Sequence, residues 1–271
     1  MRAVILAAGR GSRMDGLTAD RPKCLVELAG VGLLDLQVAA LRAGGASAIA
    51  VVAGYRGDML AGRGLHVFAN SRWSETNMVM SLASAGRWLA AAPCLVSYAD
   101  IFYPAETVRR LRAADGDIVL AYDPDWLEQW RNRFADPLSD AESFRLNPAG
   151  RVIEIGAKAT DVSRIEGQYM GLLKFTPDGW RTVTACLDAL APADRDRLDM
   201  TALLSRLVHD GAAVTAVPTA PGWGEVDSGS DLDYFNGEIE AGRLKLEMPA
   251  ATARRRSGRG VNLRALRSGS A

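Results

Sequence analysis

The stretch RAVILA (residues 2–7), followed by AGRGSRM (residues 8–14), decides the fold class of this chain. After Arg2 the first part is a continuous apolar run, which predicts a buried strand of a parallel sheet. The second part is a glycine-rich loop. Such a loop directly after a first strand can present several backbone N–H groups to an anion. Together the two parts predict an α/β domain with an anion-binding loop at the end of its first strand.

Cationic side chains accompany this loop at Arg10, Arg13 and Lys23. Gly9 and Gly11 allow the backbone to approach a phosphate closely and to take up positive φ. Arg suits bidentate contacts with phosphate, whereas Lys acts as a compact point charge. The residue types therefore predict a site for a polyphosphate.

Four interpretations of the loop compete. A Walker P-loop needs a second glycine followed by Lys and Ser or Thr, and that order is absent. A dinucleotide fingerprint needs a third glycine where Met14 stands. An ordinary strand-to-helix loop would not need cationic residues at the three positions that carry them. The pattern Gly-x-Gly-Ser-Arg with a later Pro22-Lys23 fits residue for residue.

Apolar runs alternate with helical patterns along the rest of the chain, which predicts a doubly wound, mostly parallel sheet. The strands after the first are predicted at residues 48–53, 65–69, 94–98, 118–122, 170–175, 213–217 and 223–226. The helices are predicted at residues 33–42, 77–91, 178–190, 201–210 and 231–241. The section from about residue 123 to 170 is rich in Trp, Arg, Asp and Pro, and we expect it to insert a hairpin at residues 143–155. One domain over residues 1–242 is the simplest organisation.

Composition narrows the class of protein. The chain has 271 residues and no formal net charge, which argues against a nucleic-acid partner. Its three cysteines share no close spacing, so we expect neither a disulfide framework nor a zinc site, but a cytoplasmic protein. No apolar run is long enough to span a membrane. The tail at residues 250–271 carries six Arg and no acid, and we expect it to be disordered.

Several later stretches extend the pattern of the first loop. They are Asn70-Ser71, Thr76-Asn77, Ser81-Leu82, Tyr98-Ala99-Asp100-Ile101, the segment 136–142, the segment 166–171, and Glu225-Val226-Asp227. With them the chain resembles the nucleotidyltransferases that make sugar nucleotides and CDP-linked alcohols, and most of all the bacterial phosphocholine cytidylyltransferase group. The resemblance covers about Met1 to Gly242. It implies a nucleotide-diphospho-sugar transferase-like, Rossmann-like fold with a small hairpin insertion on the acceptor side.

The resemblance also implies a reaction in which an acceptor phosphate attacks the α-phosphorus of an NTP and pyrophosphate leaves. Lys23 would contact the α-phosphate, and Gly9 to Ser12, including Gly11, would hold the β- and γ-phosphates. Arg13 would neutralise the pyrophosphate, with Arg10 in support. Asp100 and Asp227 would hold Mg²⁺, which prefers hard oxygen ligands, and Asp100 would also lie at the nucleotide.

The same resemblance places the base against Leu6, Ala7 and Ala8, with Asn77 and Ser81 nearby, and favours CTP. Aromatic rings and carboxylates would hold an ammonium on the acceptor. The acceptor residues expected from this are Trp130, Tyr169, Glu166 and Glu225, with Lys158 for the acceptor phosphate. The implied function is CMP transfer from CTP to a phosphocholine-like compound or an aminoalkylphosphonate.

The sequence leaves two alternative functions open. One is a sugar-1-phosphate nucleotidyltransferase that uses UTP, dTTP or GTP. The other is a non-catalytic sensor that binds nucleotide through the same fold. The oligomeric state stays open between a monomer and a homodimer.

Overall fold

The computed structural model describes residues 1–250, without the side chain of Asp15. The prediction for the arginine-rich tail therefore lies outside the described residues, apart from Ala250. The strands are β1 Arg2–Ala7, β2 Glu27–Leu28, β3 Val31–Gly32, β4 Ala48–Ala53, β5 His66–Ala69, β6 Cys94–Tyr98, β7 Ile101–Phe102, β8 Ile118–Asp123, β9 Glu142–Leu146, β10 Val152–Lys158, β11 Gln168–Phe175, β12 Val214–Pro218 and β13 Gly224–Glu225. The helices are α1 Leu33–Ala43, α2 Met78–Ser84, α3 Gly86–Ala91, α4 Ala105–Ala113, α5 Trp126–Arg133, α6 Pro177–Asp188, α7 Pro192–Arg197, α8 Met200–His209 and α9 Gly229–Glu240.

The central sheet has seven strands in the order β12-β8-β11-β6-β1-β4-β5. Strand β11 is antiparallel to both of its neighbours, and the other pairs are parallel. The sheet is therefore mostly parallel, as predicted. Its inner strands are buried almost throughout, which explains why they read as unbroken apolar runs.

The pairing of β1 with β6 positions the site. Leu6 lies opposite Tyr98 in this parallel pair. The carboxyl ends of both strands therefore meet at one edge of the sheet, which is where open α/β folds bind ligands. The glycine-rich loop after β1 and Asp100, just beyond β6, both lie at this edge.

A second, smaller apolar cluster anchors the loop after β1. Met14 is 1% exposed and packs with Val226 and Phe235, among other residues. The residue that stands in place of a dinucleotide-type glycine is thus a core residue. It ties the first loop to the segment that carries Asp227.

The middle of the chain forms the predicted hairpin from β9 and β10, and β10 packs against α8.

The helix predicted at residues 77–91 is instead two helices, α2 and α3, separated at Ala85. Gly86 lies so close to Trp180 that an added Cβ would be 3.3 Å from its ring. This close packing and the low helix propensity of glycine explain the break.

The sequence did not predict helices α4, α5 and α7, and α5 belongs to the insertion. In the described part of the chain no helix has the length and apolar character needed to cross a membrane.

Candidate active site

A cleft of about 300 Å³ opens at the carboxyl ends of β1 and β6. Its lining falls into a charged end and a neutral end. The charged end contains Gly9, Gly11, Ser12, Arg13, Lys23, Asp100 and Asp227. The neutral end contains Leu6, Ala7, Ala8, Trp73, Thr76, Asn77, Met78 and Ser81. Nine of the predicted nucleotide, metal and catalytic residues therefore lie together with Leu6–Ala8 in one cleft, and Arg10 is the exception.

The glycine-rich loop needs glycine at residue 11. Gly11 has φ 72°, and an added Cβ would lie 2.8 Å from the Cβ of Lys23. The hydroxyl of Thr18 donates to the carbonyl of Gly11 at 2.9 Å, which fixes the turn into a 3₁₀ segment at Ser12–Thr18. Any side chain at this position would be strained and would also displace Lys23.

Lys23 lies between two carboxylates. Its Nζ donates to Asp100 Oδ2 at 2.9 Å and also bonds Asp227 Oδ1. Arg13, which is mostly exposed, pairs with the other oxygen of Asp227 at 2.8 Å. The structure therefore brings Lys23 and Arg13 together with the two distant acids, as predicted from the sequence.

The electrostatic balance of Lys23 follows from this position. Burial alone would lower the pKa of its ammonium, but the charges of Asp100 and Asp227 outweigh burial and the net pKa is raised. Lys23 is consequently a cation, and it occupies the space between two hard oxygen ligands. A divalent cation entering this space would have to take the place of the ammonium.

Glu225 adds a third carboxylate beside Asp100 and Asp227, although it does not line the cleft itself. One oxygen from each of Asp100, Glu225 and Asp227 can lie within 4.8 Å of the other two. Strand β13 pairs Glu225 with Ile101, and Val226 N donates to the carbonyl of Asp100 at 2.9 Å. Burial raises the pKa of Glu225 to about 8, with a further contribution from Asp227 and Asp100 that Arg133 and Lys23 partly offset. The sequence predicted that Glu225 binds the acceptor. Its two-residue spacing from Asp227 was the signal that the two side chains lie on the same face of an extended segment.

Residues of the insertion support the loop that carries Asp227. The side chain of Arg133 is fully buried, and its Nε donates to Asp231 Oδ1 at 2.8 Å. Asp231 Oδ2 in turn accepts from the backbone N of Asp227 at 3.0 Å and of Ser228 at 2.9 Å. Arg133 in α5 is thus linked through the first turn of α9 to the loop of Asp227. Nothing in the local pattern of residues predicted this link.

The neutral end of the cleft is built by the loop before α2. The Trp73 side chain lies against Gly54, where an added Cβ would be 2.6 Å from the Trp73 Cβ, and its ring makes an edge contact with Tyr55. Asn77 is the N-cap of α2 and also donates to the carbonyl of Arg197 at 3.2 Å. Both polar groups of the Asn77 amide therefore have structural partners. Because the cations and carboxylates lie at the other end, this end suits an uncharged ring.

A model of the MobA-like NTP transferase domain matches residues 3–154. The chain belongs to this family of nucleotidyltransferases. The matched residues include the glycine-rich loop, Lys23 and Asp100, but not Asp227.

Two relatives extend the match over more of this nucleotidyltransferase. It is 36% identical to the CTP:phosphoglutamine cytidylyltransferase of Campylobacter jejuni over 252 residues, 86% of this chain and 98% of that protein. It is 25% identical to the 2-aminoethylphosphonate cytidylyltransferase of Lancefieldella rimae over 206 residues, 72% and 76% of the two chains. In fold it is similar to the inositol-1-phosphate CTP transferase of Thermotoga maritima. That comparison has a TM-score of 0.69 and 19% identity, and covers 89% of this chain and 96% of the other.

The structure of this nucleotidyltransferase separates the predicted acceptor residues. The Trp130 ring is 3% exposed, packs with Trp126, Phe134 and Trp223, and donates from Nε1 to Asp140 at 3.0 Å. It is a core residue of the insertion, which corrects the expectation of an open aromatic face. Tyr169 makes an edge contact with Tyr98, whose side chain does line the cleft.

The hairpin holds the two remaining acceptor candidates away from the cleft. Glu166 is exposed and accepts from Leu146 N at 2.7 Å, which pins the strand before the turn. Lys158 is exposed in a separate groove with Arg145 and Glu154. Neither residue lines the cleft or belongs to the carboxylate group of Asp100, Glu225 and Asp227, so the structure corrects the grouping of both with Glu225. The Arg10 guanidinium likewise lies outside the cleft, 5.7 Å from the centre of the Tyr55 ring.

Proposed function

We propose that this protein is a magnesium-dependent cytidylyltransferase that transfers CMP from CTP to a small, amine-bearing phosphate or phosphonate and releases pyrophosphate. The observation that carries the proposal is the position of Lys23, bonded to both Asp100 and Asp227 beside Gly11. A buried ammonium, a glycine-rich turn and a carboxylate cluster meet in one cleft. That combination suits a metal-bound triphosphate.

The residues at the charged end fit a magnesium ion. Asp100, Glu225 and Asp227 offer carboxylate oxygens close enough to share one cation, and Asp100 Oδ1 is buried without a hydrogen-bond partner among the described residues. These are the ligands that Mg²⁺ prefers. When bound there, the ion would neutralise charge on the triphosphate oxygens.

The protein groups would then do the following work. Lys23, released from the carboxylates, would pair with the α-phosphate, where negative charge builds as the acceptor oxygen forms its bond to phosphorus. Arg13 would neutralise the pyrophosphate as its bond to the α-phosphorus breaks. The acceptor phosphate is already an anion at neutral pH, so the step needs no general base. Catalysis would rest on holding two anions in line.

The choice of CTP and of an amine-bearing acceptor has separate support. The two relatives named for cytidylyl transfer act, by name, on phosphoglutamine and on 2-aminoethylphosphonate, both of which carry an amine. The three cysteines, none of them in a disulfide, support a cytoplasmic location.

A panel of nucleotides and acceptors with pyrophosphate as the readout tests the proposal. CTP, UTP, dTTP and GTP would each be paired with phosphocholine, 2-aminoethylphosphonate, phosphoglutamine and glucose 1-phosphate. We expect CTP with an amine-bearing acceptor to give the highest kcat/KM, and activity to stop when EDTA removes the metal. Preference for glucose 1-phosphate would establish a sugar-1-phosphate enzyme instead. Binding of CTP with no pyrophosphate from any acceptor would establish a sensor.

A further inference from the structure

The amide of Asn70 lies behind the neutral end of the cleft and is 7% exposed. Its Oδ1 accepts from the backbone N of Arg72 at 3.0 Å. Its Nδ2 donates to Thr76 Oγ1 and to Ser81 Oγ, each at 3.0 Å. Because a backbone N–H can only donate, the amide oxygen must face Arg72 and both amide hydrogens must face the two hydroxyls.

The two hydroxyls differ in what remains for a ligand. Thr76 Oγ1 accepts from Asn70 and donates to the carbonyl of Arg72 at 2.9 Å, so its proton is used. Ser81 Oγ accepts from Asn70, but no described residue accepts the Ser81 proton in a hydrogen bond. Ser84, one turn later in α2, donates to the carbonyl of Met80 at 3.2 Å. Ser81 therefore differs from its helical neighbour in keeping an unused donor.

This donor belongs to the cleft. Ser81 lines the neutral end with Leu6 to Ala8, and it is only 5% exposed. A buried hydroxyl whose proton has no acceptor is costly, and a ligand that supplies an acceptor removes the cost. A ligand that presents an N–H at the same point leaves the proton unpaired. The Ser81 hydroxyl can thus distinguish a ring that presents a hydrogen-bond acceptor at this end from a ring that presents a donor.

We propose that Asn70 is a specificity-determining residue that fixes Ser81 as a donor and so selects cytosine over uracil. Cytosine N3 accepts a hydrogen bond, whereas uracil N3 carries a hydrogen. The O2 atom accepts in both bases, and at position 4 a donor would favour uracil, whose O4 accepts. N3 is therefore the atom at which a donor from Ser81 favours cytosine. This inference rests on the proposed CTP-dependent function and explains how the cleft would reject UTP. Asn70 acts through Ser81 and does not itself line the cleft.

The test compares kcat/KM for CTP and UTP, with one acceptor, in wild type, Ser81→Ala, Asn70→Asp and the double variant. An Asp at residue 70 can still accept from Arg72 N, but it offers Ser81 an oxygen in place of an N–H. The Ser81 proton would then turn towards residue 70 and leave lone pairs facing the base. We expect Asn70→Asp and Ser81→Ala each to lower the CTP/UTP ratio at least about tenfold, equal to about 1.4 kcal/mol. The double variant should match Ser81→Ala alone.

Ser84→Ala is the matched control, because its hydroxyl is exposed and bonds within its own helix. Its CTP/UTP ratio should equal that of wild type. The inference is overturned if Ser81→Ala keeps the wild-type ratio, or if Asn70→Asp lowers the ratio equally with and without the Ser81 hydroxyl. If Asn70→Asp does not fold, the Ser81→Ala variant decides whether Ser81 selects the base. Its CTP/UTP ratio of kcat/KM and its dissociation constants for CTP and UTP are then the measurements. A wild type that prefers UTP overturns the proposed function itself, which is a separate outcome.

Discussion

The ammonium of Lys23 lies 2.9 Å from a carboxylate oxygen of Asp100, although 77 positions separate the two residues in the chain. The contact follows from the parallel pairing of β1 and β6, which brings the ends of both strands to one edge. Lys23 also bonds Asp227, so two acids share this one cation. Binding of a metal and a nucleotide must therefore exchange the partners of Lys23, and several consequences can be measured.

Replacing Lys23 with Ala should abolish turnover and yet strengthen metal binding to the protein without nucleotide. Turnover should fall at least about 100-fold, because the α-phosphate loses its cation. Asp100 would be left without a counter-ion and Asp227 would keep only the exposed Arg13, so the variant should melt at a lower temperature and recover when Mg²⁺ is added. Calorimetric titration with Mg²⁺ and thermal melts measure both effects. The exposed Lys158→Ala is the control and should match wild type. Weaker metal binding by Lys23→Ala would contradict the exchange.

Gly11→Ala should lower turnover strongly, since the new Cβ would lie 2.8 Å from the Cβ of Lys23 and the backbone has φ 72°. Gly16→Ala is the matched control, because it lies in the same 3₁₀ segment with no atom within 4 Å of an added Cβ. Gly62→Ala tests the strain of positive φ alone, as Gly62 has φ 74° and open space. Steady-state kinetics of the three variants should show a large loss only for Gly11→Ala. Equal losses in Gly11→Ala and Gly62→Ala would mean that displacement of Lys23 is unimportant.

Glu225→Gln should raise the Mg²⁺ concentration that gives half-maximal rate and leave the KM of the acceptor unchanged. The reason is that Glu225 lies with Asp100 and Asp227 rather than with the hairpin. Rates measured over a range of Mg²⁺ and acceptor concentrations separate the two effects. Glu166→Gln, at an exposed residue between the hairpin and β11, should change neither quantity. A rise in acceptor KM with no change in metal dependence would return Glu225 to the acceptor.

Asp231→Asn should destabilise the protein in a manner that depends on pH. Burial alone would raise the pKa of Asp231, but its contacts with Arg133, Ser228 and Asp227 N outweigh burial and lower it below 3.8. A lowered pKa in the folded state means that the charged form adds stability above pH 3.8 and loses it as the pH falls through the folded value. Breaking this buried pair should cost about 3–5 kcal/mol near neutral pH.

Urea unfolding of wild type and Asp231→Asn between pH 3 and pH 7 checks this, and the difference should shrink towards the acid end. Arg133, Glu225 and Asp227 are the charged groups that face Asp231 and must be counted in the fit. Glu106→Gln is the control, since its exposed pair with Arg109 should contribute little. A difference that stays constant with pH would show that Asp231 acts only through its neutral hydrogen bonds.

Local sequence patterns predicted the elements whose signals are local. The apolar runs gave β1, β4 and β6, and the hairpin turn was visible at Asn147 to Gly150, where Asn147 Oδ1 accepts from Ala149 N and Arg151 N. The break at Ala85 was not predicted, since it depends on Trp180 from a distant helix. Helix α5 was missed although its buried residues, Trp126 and Trp130, have helical spacing. The sequence analysis assigns Trp130 to the acceptor instead, because tryptophan suits both roles.

The amino-acid sequence alone determined the parallel α/β class and the anion-binding loop with Lys23. These depend on periodicity, glycine and residue type, which act over a few neighbours. Asp100 and Asp227 were candidates through the resemblance to a known family. Only the tertiary structure decided that Glu225 joins the acids, that Trp130 is a core residue, and that Arg133 and Asp231 hold the Asp227 loop. Each of these contacts joins segments far apart in the chain. Such contacts form only after the sheet has set which strand ends meet, and no local pattern records that arrangement.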